Sequence, residues 1–127
     1  MKCQFVFLAA SIFFYGECYS QQNTQVKPNM KFMQITTIES VVGAGLGRSK
    51  MIITKEDGAM EEKDMENLFS LGGINFKNIR QNETTIISTL KYYSEAGWKL
   101  QATVPLTLSP MQGGNGIFMT RYLLTRE

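Results

Sequence analysis

The sequence predicts an α+β domain: an antiparallel sheet of about four strands with one main helix, plus a short one, on one face, in the order β-β-(α)-α-β-β. Three observations carry this. Runs rich in β-branched and aromatic residues recur over 32–42, 49–55, 98–104 and 117–126. A helical stripe with a capping residue at each end falls between them, over 83–96. No regular long crossover separates successive strands, as a parallel sheet would require.

The chain opens with Lys2, an apolar run from Cys3 to Tyr15, and then the small and polar residues Gly16 to Ser20. This is the order of a secretory signal peptide, with Cys18 and Ser20 at the −3 and −1 positions of a cut before Gln21. Residues 1–20 are therefore expected to be removed and the protein to be secreted or periplasmic, in a bacterial envelope. The run falls short of the roughly 20 apolar residues of a membrane helix, so no integral span is expected after cleavage. A retained N-terminal anchor is the alternative. A lipoprotein would need a small residue before Cys18, where Glu17 stands. Residues 21–30, polar and holding Pro28, read as a flexible lead-in, and residues 31–127 as a single domain.

Phe32 to Val42 reads as the first strand, with an alternation loose enough to imply apolar cover on parts of both faces. Gly43 to Arg48 breaks it, and Ser49 to Lys55 is the second strand, closed by the turn residues Glu56-Asp57-Gly58. An antiparallel hairpin is the simplest joining of the two. Met60 to Leu71 reads as a short helix: Met65, Leu68 and Phe69 share a face, and Glu61, Glu62 and Asp64 suit its N-terminal dipole. Residues 74–81 read as a connector anchored by Ile74, Phe76 and Ile79. The main helix is expected over Glu83 to Ala96, with Asn82 as N-cap and Ile86, Leu90 and Tyr93 as its apolar stripe, widened by Ile87. Gly97 suits a left-handed C′ position, with Trp98 following as an apolar anchor. Trp98, Leu100, Ala102 and Val104 then alternate with polar residues as a half-buried strand, and Pro105 would limit pairing beyond it or mark an edge or bulge. Residues 109–116 form a loop. In the last strand Phe118, Tyr122 and Leu124 line one face, and Met119, Arg121 and Leu123 the other.

Composition narrows the chemistry. There is no histidine, so the usual general base, pH switch and commonest metal ligand are missing. Both cysteines, Cys3 and Cys18, lie in the segment expected to be removed. That leaves no thiol for a disulfide, and only carboxylates for a transition metal. No cofactor and no metal are expected. Net charge is +2 with the two signs interleaved, which lacks the basic stripe of a nucleic-acid binder.

Four motifs invite a functional reading. Gly43-Ala44-Gly45-Leu46-Gly47-Arg48-Ser49-Lys50 could cradle an anion on backbone amides, with Arg48 and Lys50 beside it. Its spacing matches neither named phosphate pattern, and a strand follows it where a helix should, so a hairpin connection is the expectation. Tyr92, Tyr93 and Trp98 could stack a sugar or peptide. Helical spacing puts Tyr93 in the core and leaves Tyr92 as the exposed candidate. The carboxylates Glu56, Asp57, Glu61, Glu62, Asp64 and Glu66 lack the register of a calcium loop and read as a solvated turn and helix start. Ser49 and Lys50, adjacent on a strand, point to opposite faces and cannot act as a catalytic pair. Asn82-Glu83-Thr84 fits a glycosylation sequon but reads as an N-cap. Catalysis is not expected.

From Leu90 onward, "LKYYSEAGWKL" followed by a loop and "GIFMTRYLLTRE" resembles the small bacterial domains grouped as DUF4177. Those end in a helix, Gly-Trp, a strand, a variable loop and a terminal strand with basic residues. Gly97, Trp98 and Arg121 or Arg126 are the matching positions. The resemblance implies a fold for the C-terminal part and no activity. The segment 27–81 and the signal segment depart from the pattern.

The expectation is a non-catalytic module that binds another protein or itself. The alternative is a small-molecule, glycan or anion binder using the 43–50 and 109–116 loops. Arg48, Lys50, Tyr92 and Arg121 are the candidate contact residues.

Overall fold

The computed structural model describes residues 29–42, 47–108 and 116–127. The signal segment, most of the lead-in, residues 43–46 of the glycine-rich loop and residues 109–115 lie outside the described residues. The chain runs β1 (Lys31–Val41), β2 (Ser49–Thr54), β3 (Met60–Met65), β4 (Phe69–Ser70), β5 (Gly73–Ile74), α1 (Phe76–Glu95), β6 (Lys99–Leu108) and β7 (Gly116–Arg126). Five strands form one antiparallel sheet in the order β3-β2-β1-β7-β6, and β4 and β5 make a separate two-stranded ribbon. The α+β class and the antiparallel sheet are as the sequence predicts. Among the described residues, no helix is long and apolar enough to cross a membrane.

Residues paired across an antiparallel ladder share a face, so the register sorts the side chains. Met33, Ile35, Met51, Ile53 and Leu124 lie on the face that α1 covers, where they form the core with Ile86 and Trp98. Leu90, Tyr93, Tyr122 and Met65 pack around them. The outer face carries Phe32, Gln34, Thr36 and Ile38 of β1 and their partners on either side.

The segment 60–65 is a strand and not the start of a helix. Lys55 and Ala59 close a tight turn through an N–H to carbonyl bond of 2.8 Å, with Gly58 at a φ of +82°. This returns the chain antiparallel to β2, pairing Ile52 with Glu62 and Lys50 with Asp64. A helix here would have left the β2 edge unpaired, and ladder bonds outweigh the weak helical pattern of a charged segment. The sheet thus has five strands where about four were expected.

The main helix starts earlier than its apolar stripe suggests. Asn75 is the N-cap, its side chain accepting from the backbone N–H of Lys77 at 3.1 Å and Asn78 at 3.3 Å. Residues 76–81, expected as a connector, are therefore its first turns, and Asn82 lies inside the helix, only 1% exposed. Ile87, expected in the stripe, is exposed. The C-terminus follows the expectation. Gly97, at a φ of +87°, donates to the Ser94 carbonyl at 3.0 Å, and Trp98 N–H to the Tyr93 carbonyl at 3.0 Å. These two bonds make a Schellman stop. Trp98 is then delivered to the core, 7% exposed, with the Arg126 guanidinium 4.6 Å over its ring.

β6 runs on past the expected half-buried run, and of the two readings of Pro105 it is the edge strand that holds. It continues through Pro105 to Leu108, pairing along β7. A proline is tolerated there because β6 is an edge strand, where a missing donor can face outward. A bulge at Gln101 puts Leu100 opposite Leu124 but Ala102 opposite Leu123. Leu124 and Leu123 sit on opposite faces, so the bulge turns Ala102, Val104, Leu106 and Leu108 away from the helix.

Candidate functional site

Two side-chain assemblies stand out on this frame: a closed polar network and an open apolar patch. The network joins α1 to the β3–β4 segment. Asn82 accepts from the Glu66 backbone N–H at 2.8 Å and donates back to the Glu66 carbonyl at 2.9 Å and to Glu39 Oε1 at 2.9 Å. Asn78 donates to the Asn67 carbonyl at 2.8 Å. Asn67 donates to the carbonyls of Phe69 at 2.8 Å and Val42 at 3.2 Å, and accepts from Ser40 Oγ at 3.2 Å. Gly47 approaches so closely that a Cβ there would lie 1.9 Å from Ser40 Oγ and 2.5 Å from Asn67 Oδ1. A shallow hollow of about 480 Å³ borders this network, lined by Gly47, Asn67, Ser70 and Asn78 among others. Its asparagines already spend their bonds on the backbone, so the network acts as a clip between helix and sheet.

The apolar patch lies on the outer face at the other side of the sheet. Every residue of β6 is exposed, so neither face of that strand is covered. Val104, Leu106 and Leu108 point outward beside Ile117 and Met119 of β7, with Ile38 of β1 next in the row. They are 49%, 43% and 66% exposed on β6, and Ile117 is 36% exposed. On the helix side, a hollow of about 450 Å³ separates α1 from β6, lined by Ile87, Leu90, Leu100 and Leu124 among others.

The two sheet edges contrast in charge. β3 carries Glu61, Glu62, Lys63 and Asp64 in its six residues, whereas β6 carries only Lys99 in ten. Charged side chains are one protection of an edge strand, so β3 is guarded by charge and β6 is not. The acidic residues of β3 have cationic neighbours: Lys50 bonds Glu62, and Lys55 lies 3.5 Å from Glu61. Glu56 sits between Lys31 at 3.0 Å and Arg126 at 3.7 Å. Of the carboxylates expected at a turn and helix start, Glu56, Glu61 and Glu62 are therefore in turn and strand ion pairs, and Asp57 accepts from the Ala59 N–H at 2.9 Å.

The four candidate contact residues do not form one site. Arg48 is exposed at the approach to β2. Lys50 is on the outer face, and its bond to Glu62 holds its ammonium above the ordinary lysine value. Arg121 is exposed on the same face, paired with Val104 and Thr36, and so borders the apolar patch. Tyr92 is exposed on α1 near Lys55, Glu61 and Lys63, edge-on to Tyr93 with centroids 5.0 Å apart. The patch itself was not named from the sequence. The alternation from Trp98 to Val104 assigns Val104 inward, and only the bulge at Gln101 reverses it. Burial raises the phenols of Tyr93 and Tyr122 above the ordinary tyrosine value, with nearby carboxylates adding to it: Glu61 at Tyr93, Glu39 and Glu83 at Tyr122.

No family model, no curated protein and no solved structure matches the chain.

Proposed function

We propose that this chain is an exported, non-catalytic binding module whose working surface is the outer face of β6 and β7. The observation that carries the reading is the exposure of all ten residues of β6 next to a contiguous run of Val104, Leu106, Leu108 and Ile117. An exposed apolar group of this kind, on an edge without charge protection, is what a protein-binding surface presents. Arg121 at its border adds a side chain favoured at interface hot spots. The test is retention of protein from envelope extract by the immobilised chain. Leu106→Lys should abolish retention and Tyr92→Lys, on the opposite side, should preserve it. Equal retention by both variants would reject this surface.

One observation favours the small-ligand alternative. Val41 pairs with Gly116, and Leu108 with Ile117. The β1–β2 and β6–β7 connections therefore leave from the same end of the sheet, near Arg48. A millimolar anion that raises the melting temperature in an Arg48-dependent way would promote that reading.

A further inference from the structure

We propose that the tip of the β4–β5 ribbon docks onto the surface of an anionic lipid bilayer, at a site separate from the β6–β7 face. In the ribbon Phe69 pairs with Ile74 and Ser70 with Gly73, so the corner is made of Leu71 and Gly72. Hairpin corners favour Gly, Asn and Asp, whose chemistry suits the turn. Leu71 answers no such requirement. At 90% exposed it is the most exposed of the large apolar residues among those described. Ile74 and Phe76 are exposed as well. Phe69 and Ile74 share one side of the ladder, and the extended Asn75 puts Phe76 on the side of Ile74. Leu71 stands at the corner between the two strands. The tip is thus a small apolar projection, and nothing in the fold covers it.

Charge identifies the occupant. No acidic residue stands between Glu66 and Glu83 in the chain, and the exposed Lys77 and Arg80 follow directly behind Phe76 in the first turns of α1. Arg48 is exposed next to Gly47, which lines the same hollow as Leu71 and Gly72. Glu66 is the one carboxylate lining that hollow. Cations therefore outnumber anions around the apolar tip. That combination matches a bilayer surface, where acyl chains lie beneath anionic headgroups. Both strands of the ribbon are edges, and hydrocarbon cannot satisfy their backbone groups. Insertion therefore stops at the headgroup boundary, ~5–10 Å deep. With so few apolar side chains and cations the attachment is weak and reversible.

Co-sedimentation of the purified exported chain with vesicles of phosphatidylethanolamine and phosphatidylglycerol tests the proposal. Binding is expected, and it should fall at least about fivefold on vesicles of phosphatidylcholine alone. Leu71→Asp should weaken it at least about tenfold, the scale of one buried leucine. Lys77→Gln should weaken it about fivefold. Ile87→Asp, the same kind of change at an exposed residue of α1, should bind as wild type. Leu71→Trp reads insertion directly: its emission should move to shorter wavelength when the anionic vesicles are added. Absence of binding overturns the proposal, as does equal binding to phosphatidylcholine. Binding that Leu71→Asp leaves intact, an equal loss in Ile87→Asp, or a Leu71→Trp emission that vesicles do not move would also overturn it. Leu71-dependent retention of extract protein without vesicle binding would give the tip to a protein partner and reject the bilayer. None of these results bears on the β6–β7 surface, which is read through Leu106.

Discussion

The side-chain amide of Asn82 pairs with the backbone of Glu66 as a neighbouring strand would, accepting from its N–H at 2.8 Å and donating to its carbonyl at 2.9 Å. A helix residue thus completes the hydrogen bonding of a chain segment just past β3, and it reaches Glu39 on β1 with the same amide. Asn82→Ala should cost about 3 kcal/mol, because it leaves the Glu66 backbone groups without their side-chain partner. Asn82→Asp should lose more at pH 7 than at pH 4, since its carboxylate would face Glu39 and the Glu66 carbonyl. Urea denaturation at the two pH values checks both. An Asn82→Ala variant within 0.5 kcal/mol of wild type, roughly the range of a neutral surface change, would contradict the clip.

Trp98 and Gly97 make a paired prediction. Trp98→Ala should cost roughly 3–5 kcal/mol through the cavity it leaves beside Met33 and Leu124. Gly97→Ala should cost about 1 kcal/mol through backbone strain alone. A Cβ there would meet only Arg126 Cδ, at an ordinary 3.7 Å. Thermal denaturation monitored by tryptophan fluorescence measures both. A water-like emission maximum in the wild type would show the ring to be exposed.

Gly47 is constrained by crowding. Gly47→Ala drives a Cβ into Ser40 and Asn67 and should cost about 1–3 kcal/mol. Gly72→Ala, with nothing within 4 Å of the new atom, is the matched control and should be nearly neutral. Equal melting temperatures for the two variants would mean that the network around Asn67 yields.

Alkaline pH should unfold the protein in a defined direction. The phenols of Tyr93 and Tyr122 titrate above the ordinary value because burial disfavours the phenolate. A folded-state pKa above the unfolded one gives stability that is complete below about pH 10 and is lost as pH rises through the folded value. The melting temperature should fall in that range, and Tyr122→Phe should reduce the fall. An unchanged slope in Tyr122→Phe would remove that phenol as a cause.

The legible parts of the fold were those written in local chemistry. The Gly97 stop and the Trp98 anchor follow from adjacent residues, and the β1–β2 pairing from two β-branched runs with a break between them. The missed parts depend on distant chain. The segment Met60–Met65 has the composition of a solvated helix start and becomes a strand because β2 offers an unpaired edge. Asn82 is a good cap by type, but Asn75 takes that role and frees Asn82 to bind Glu66 and Glu39. The proposed surface was the least legible. Its outward side chains depend on one extra residue, Gln101, in a ladder with β7, and a bulge leaves no mark in the alternation that precedes it. Arg121, a candidate contact residue by sequence, borders the patch, whereas Tyr92 lies on α1 away from it.

The most direct test of the proposed surface is site-specific photo-crosslinking in native envelope extract, with the probe at position 106 in one sample and at position 92 in the other. The account predicts discrete crosslinked products from position 106 and none from position 92. Products from position 92 alone, or none from either position, would contradict the assignment of the β6–β7 face as the working surface.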